Sequence, residues 1–172
     1  RMLEAEVSLL KRKGAPEPES VEPAQLDLGV RAYLPEDYLP GDLERIEFYK
    51  RLLAAEPEKL EGLRKELSEL SGPPPEPVEN LFRVLRLRHS ATALGVRTAA
   101  ERVGGTGEPV MELRFRPGAK EPLSRLGAWM DAYKGRIEFV RSPQGNEGEG
   151  LRVRLRDAED SLSWLEAFLR VK

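Results

Sequence analysis

An α+β domain, in which a small mainly antiparallel sheet is backed by several helices, is predicted by three observations. Apolar residues recur at helical spacing through residues 42–94, the period changes to two from Val96 onward, and no alternating βαβ repeat links the two halves. With 172 residues, the chain can form one domain plus an appended segment and can bury a core without staples. It has no cysteine, so no disulfide can form, which fits a reducing compartment. The formal charge of −2 gives no bulk attraction to nucleic acid. No run of about 18 apolar residues suggests a membrane span, and no apolar leader opens the chain. Because the first residue is Arg1 rather than Met, a piece of a longer protein is expected.

Residues 2–12 place Leu3, Val7 and Leu10 on one helical stripe that Gly14 stops. Residues 14–25 carry Pro16, Pro18 and Pro23 among acidic and polar neighbours, the composition of an extended linker. Residues 27–34 read as a strand in which Leu28, Val30 and Ala32 alternate with Asp27, Gly29 and Arg31. Pro35 and Pro40 then keep an arm extended, since proline fixes φ and disfavours helix in the residue before it. Asp42 can cap the next helix, whose Leu43, Ile46, Tyr49, Leu52 and Leu53 form an apolar face, with Glu47 and Arg51 paired four apart on the other side. Pro57 suits the first position of another helix, striped by Leu60, Leu63, Leu67 and Leu70 and ended by Gly72 and the prolines after it. Pro77 opens a long helix with Val78, Leu81 and Leu85 on one side and Val84, Leu87, Ala91 and Leu94 on another. So wide an apolar arc predicts a central helix, capped by Gly95.

In the second half, residues 97–103 form a weaker strand, joined through Gly104, Gly105, Thr106 and Gly107 to residues 110–116. There Met111, Leu113 and Phe115 face one way and Glu112, Arg114 and Arg116 the other. Residues 120–133 predict a helix burying Leu123, Leu126, Met130 and Tyr133. Residues 136–141 bury Ile137 and Phe139, and residues 151–156 bury Leu151, Val153 and Leu155. The glycine-rich stretch 142–150 between them reads as a hairpin loop. A last helix is expected from Asp157, with Asp160 three positions on, burying Leu162, Leu165, Phe168 and Leu169.

Three spaced motifs carry a family resemblance over residues 26–96. The first is Pro35, Tyr38 and Pro40 followed by Arg45, Tyr49, Lys50 and Arg51. The second is Glu66, Leu67, Gly72, Pro75 and Pro77, and the third is a long helix ending Leu94, Gly95 and Val96. In this order they resemble the C-terminal domain of bacterial transcription-repair coupling factors, the Mfd family. The family's Asp-Arg-Phe-Gly before the proline pair is here Glu69, Leu70, Ser71 and Gly72, which keeps the turn glycine and drops the Arg and Phe.

The resemblance implies residues 1–13 as the tail of a preceding translocase module, 14–25 as linker and 26–172 as the regulatory domain. Pro35, Tyr38, Arg45, Tyr49, Lys50, Arg51, Gly72, Pro75 and Pro77 are its structural motif residues. It also implies a parent that is an ATP-dependent DNA translocase of transcription-coupled DNA repair, which removes stalled RNA polymerase and recruits UvrA. The C-terminal domain itself would be non-catalytic. It would dock on the parent's UvrB-like module, mask UvrA binding and restrain the motor. ATP and Mg are expected in the parent's motor domains and no cofactor in this piece, with a cytoplasmic location and no membrane partner.

The residues offer little catalytic chemistry. His89, the only histidine, neighbours Arg86 and Arg88 without a positioned partner, and neither cysteine nor a second histidine can build a metal site. The loop 104–107 lacks the lysine and following helix of a phosphate cradle. Glu66 with Glu69, or Glu147 with Glu149, could pair as acid and base but read as solvated charge. Trp129 and Trp164 lie beside apolar stripes and read as core rather than base-stacking platforms. The candidate partner-binding residues are Arg114, Arg116, Arg152, Arg154 and Arg156. If their strands share a sheet, their guanidinium groups face an acidic partner or phosphates. Two other readings stand beside that one: neutralisation across the strands by Glu112 and Glu138, and an accessory DNA-binding domain that grips duplex backbone through this face.

Overall fold

The computed structural model describes residues 21–141 and 149–172. The expected helix at 2–12, the linker up to residue 20 and residues 142–148 of the expected loop lie outside them. The fold is α+β: the described residues form five α-helices and a five-stranded sheet in the order β1-β2-β3-β5-β4, antiparallel except for the β1–β2 pair.

The strand expected at 27–34 is instead β1, Gln25–Asp27, lying parallel to β2 with Leu26 opposite Ala99. After Asp27 the backbone donors turn away from the sheet. Gly29 N–H donates to Ser161 Oγ at 3.0 Å and Tyr33 N–H to the Pro77 carbonyl at 3.2 Å, so the chain runs over helix ends. Leu28 and Val30 still pack on the core from this path.

Helix α1, Asp42–Ala54, begins where the sequence places it, but Gly41 is the cap residue and Asp42 binds Arg45. Its buried face is Phe48 and Leu52 with Tyr49 beside them, while Leu43, Ile46 and Leu53 are 79%, 50% and 54% exposed. The aliphatic stripe is overruled because Arg45 faces inward, donating to the Leu39 carbonyl at 2.7 Å and the Pro40 carbonyl at 3.1 Å. Arg51 likewise does not pair with Glu47. It reaches Glu66 of helix α2, Leu60–Ser71, and Glu47 stands 3.8 Å from Lys50. Pro57 opens a short 3₁₀ turn, Pro57–Lys59, before α2. Leu60 and Leu67 of α2 are buried and Leu63 packs beside them, whereas Leu70, at the open end of the helix, is exposed.

Helix α3, Glu76–Leu94, joins the two halves. Its Val78, Phe82 and Leu85 enter a core shared with the arm, α1 and α2, and its Leu87, Ala91 and Leu94 enter the core beneath the sheet. Gly95 ends it at φ 104°, where a Cβ would lie 2.7 Å from that of Ala119. Strand β2, Val96–Val103, is the longest of the sheet and turns through 104–107 into β3, Pro109–Phe115.

Helix α4, Glu121–Ala132, buries Pro122 and Trp129, with Leu126 and the adjacent Tyr133, but leaves Leu123 and Met130 outward, contrary to the aliphatic pattern. The large indole claims the inward direction. Strand β4, Ile137–Val140, is an edge strand, so Phe139 projects past the helical layer and remains 55% exposed instead of buried. Strand β5, Gly150–Arg154, buries Leu151 and Val153, and Leu155 follows them inward. Helix α5, Ser161–Arg170, starts later than expected because Asp160 is its cap, accepting from Ser163 N–H at 2.8 Å, and the chain turns just before it at Ala158, φ 64°. Both tryptophans are core residues.

Candidate docking surface

The family-motif residues fasten the arm to the helices. Tyr38 donates its hydroxyl to the Gly72 carbonyl at 2.8 Å and lies 3.3 Å from that of Leu67, and Tyr49 Oη accepts Leu34 N–H at 2.7 Å. The Pro35 carbonyl accepts from Tyr38 and Leu39, and the Pro75 carbonyl receives Val78 and Glu79 at the start of α3. Gly72 leaves α2 at φ 87°. Burial raises the Tyr38 hydroxyl's pKa, as does the nearby Glu79 carboxylate, so the phenol stays a donor. Arg51 lies 4.9 Å over the Phe48 ring while binding Glu66, whereas Lys50 is a solvent-facing side chain near Glu47.

On the sheet, the register decides which arginines meet. Glu112 stands opposite Arg152, Arg152 stands opposite Glu138, and Arg114 stands opposite Gly150. Glu112 therefore holds Arg152 at 3.0 Å and Arg114 at 3.3 Å, and Arg152 also reaches Glu138 at 3.3 Å. Further along the same face Arg102 pairs with Asp27 at 3.3 Å, and Arg154 donates to the Gly135 carbonyl. These four guanidinium groups thus share the surface with Asp27, Glu112 and Glu138, and Glu108 lines a hollow with Arg152 and Arg154.

Arg116 and Arg156 lie past the ends of their strands and do not join the patch. Arg116 lines a groove beside α4, and Arg156 N–H donates to Glu159 in the turn before α5. Burial works to raise the Glu112 pKa, but the Arg152 hydrogen bond and the two neighbouring guanidinium charges outweigh it and hold the carboxyl below its ordinary value. The hydrogen bond that Arg152 donates to Glu112 in turn raises the pKa of Arg152.

The remaining candidates are dispersed. His89 is half-buried on α3, Glu66 is engaged by Arg51, Glu69 is exposed, and Glu147 lies outside the described residues. Residues 104–107 turn one strand into the next and open no helix, so they do not fit a nucleotide phosphate. Among the described residues no group of three His, Cys, Asp or Glu side chains could hold a metal ion, and no helix is long and apolar enough to cross a membrane. The sequence reading missed the outward aliphatic side chains of α1 and the groove between Leu123 and Phe139. The signals available were the inward demands of Phe48 and Trp129, larger residues one position out of phase with the aliphatic stripes.

A family model described as the TRCF domain matches residues 28–122. The chain is 35% identical over 99 residues to the transcription-repair-coupling factor of Escherichia coli, covering 56% of this chain and 9% of the relative. It is 39% identical over 148 residues to that of Mycobacterium tuberculosis, covering 84% of this chain and 11% of the relative. It therefore spans about a tenth of the length of the curated relatives it matches. A solved structure described as the C-terminal domain of a transcription-repair coupling factor superposes with a TM-score of 0.67 at 19% identity, covering 86% of this chain and 88% of the other. The two share a fold.

Proposed function

The chain belongs to the TRCF domain family, and from that premise we propose that it is a non-catalytic regulatory domain of a cytoplasmic, ATP-dependent DNA translocase in transcription-coupled repair. It docks on the parent's UvrB-like module, masks the UvrA-binding surface and restrains the motor until RNA polymerase is engaged. The observation that best supports docking is the outer sheet face, where Arg102, Arg114, Arg152 and Arg154 stand among Asp27, Glu112 and Glu138. A mixed-sign patch can exchange its own ion pairs for pairs with a partner, which favours reversible closure over tight binding. Tethering within one parent supplies the effective concentration that a weak interface needs. The same patch disfavours a DNA grip, because phosphates approaching Arg152 meet Glu112 and Glu138 as well.

The test is a titration of the 172-residue chain against the UvrB-like module of its parent at two salt concentrations, with duplex DNA in parallel. Module binding that Arg154→Glu weakens about tenfold, with UvrA competing for the module, is the expected result. Absence of module binding overturns the reading. Binding to DNA alone, falling steeply with salt, replaces it by the accessory DNA grip.

A further inference from the structure

On the helix-covered side of the sheet, opposite the Glu112 face, a groove of about 400 Å³ runs between α4 and the β4–β5 edge. That volume falls within the range of roughly 300–1,000 Å³ common for ligand pockets. Its floor is Phe115, Trp129 and Leu151, all buried. Its rim carries Leu123 and Phe139, 68% and 55% exposed. Two large apolar side chains left in water on one groove differ from scattered surface leucines, and paired exposure of this kind marks an interaction site.

Two further features say what the groove takes. Arg116 lines it as a half-buried guanidinium with no ion-pair partner among the described residues, and its inner Nη1 has no hydrogen-bond partner there either, although buried donors are nearly always satisfied. Lys120 lines the same groove. Glu149 does too, but no ion pair joins it to Arg116 among the described residues. The site therefore sets a guanidinium that is unpaired among the described residues beside an apolar trough, which calls for a carboxylate. Phe139 brings β4 to the groove, and among the described residues β4 is the last strand of the sheet and pairs only with β5. Among the described residues, its outer N–H and C=O groups have no strand partner and can accept an added strand.

We propose that this groove binds an extended acidic peptide, with one apolar side chain seated between Leu123 and Phe139 and a nearby carboxylate on Arg116. A neutral apolar ligand would leave Arg116 unmet, and a nucleic-acid backbone would find an apolar trough instead of a basic one. The proposal stands independently of the docking face, which lies on the other side of the sheet.

The probe is a blocked five-residue peptide with a central phenylalanine and a glutamate two positions on, compared with its glutamine analogue. Both are titrated into the ¹⁵N-labelled 172-residue chain. The glutamate peptide should shift the backbone amides of Arg116, Leu123 and Phe139 and bind about tenfold tighter than the glutamine analogue, as a charge-assisted pair requires. Arg116→Gln should erase that preference. Leu123→Ser, at an exposed position that the fold tolerates, should weaken both peptides. The proposal fails if the shifts fall elsewhere or are absent, if the two peptides bind equally, or if Arg116→Gln keeps the preference. Self-association of the chain that excludes the peptide as protein concentration rises would also overturn it, since the occupant is then a second copy.

Discussion

The indole of Trp129 stacks on the ring of Phe168 with centroids 4.4 Å apart, and its Nε1–H donates to the Phe168 carbonyl at 3.0 Å. One residue pair thus fastens α4 to α5 through ring and backbone together. Phe115 stacks 5.8 Å from Trp129, and Trp164 lies 4.8 Å from Phe168, so the contact extends from the end of β3 to the far side of α5. Both tryptophans are buried, yet among the described residues Trp164 Nε1 has no hydrogen-bond partner.

That difference predicts unequal costs. Trp129→Phe removes one of the two donors to the Phe168 carbonyl, which keeps Val171 N–H at 3.3 Å, adding about 1 kcal/mol to the loss of packing. Trp164→Phe removes a donor that was already unmet and loses packing alone. Urea unfolding should show the Trp129 variant with the lower midpoint at unchanged slope. Equal midpoints would mean that the Trp129 hydrogen bond adds nothing.

The arm offers a local counterpart. Tyr49→Phe removes the acceptor of Leu34 N–H, and Tyr38→Phe removes the donor to the Gly72 carbonyl. Each should cost about 1 kcal/mol. Hydrogen exchange at the Leu34 amide should accelerate in the Tyr49 variant and much less in the Tyr38 variant, which separates release of the arm from general destabilisation.

How far the sequence revealed this arrangement depended on whether the cause was local. The period-two pattern placed Leu113 and Phe115 inward with Glu112 and Arg114 outward, and two apolar stripes marked α3 as the central helix. The phase of α1 was legible only in Phe48, because its inward-facing Arg45 is charged and belongs there only by binding carbonyls of the folded-back arm. Strand β1 was misplaced because its partner β2 is far along the chain, and a three-residue parallel pairing leaves no periodicity to read. The meeting of Arg114 and Arg152 at Glu112 is a matter of register. Alternation showed that these residues face outward but could not show which stood opposite which.

Glu112 and Asp160 predict the acid limb of stability. Burial tends to raise both carboxyls. For Glu112 the Arg152 hydrogen bond and neighbouring charges prevail, and for Asp160 the hydrogen bonds at Ser163, so each ends below its ordinary value, 4.5 and 3.8 respectively. A carboxyl whose folded pKa is depressed stabilises the fold above its unfolded value and loses that contribution as pH falls through the folded one. Stability should therefore drop from about pH 5 toward pH 3. Asp160→Asn keeps a competent cap and should flatten part of the drop with little change at pH 7, and Glu112→Gln should flatten another part while lowering stability at pH 7. An acid limb unchanged in both variants would exclude these two groups as its source.

Glycine substitutions should split in sign according to what a Cβ would meet. At Gly150, which faces Arg114 across the β3–β5 ladder, it would collide with the Leu113 carbonyl oxygen and lie 2.9 Å from Arg114 Cδ. The first is backbone and cannot swing aside, so Gly150→Ala must part the two strands, at a cost of about 1–3 kcal/mol. At Gly62 in α2 and Gly127 in α4 a Cβ meets nothing within 4 Å, and neither has positive φ. Alanine there removes backbone freedom from the unfolded chain and should stabilise by about 0.5–1 kcal/mol at each site. The two helical sites lie in different elements, so their effects should add in the double variant. Thermal unfolding of these four variants beside the parent checks both claims. A Gly150→Ala protein as stable as the parent would mean that β3 and β5 are not in this register, which would also separate Glu112 from Arg152.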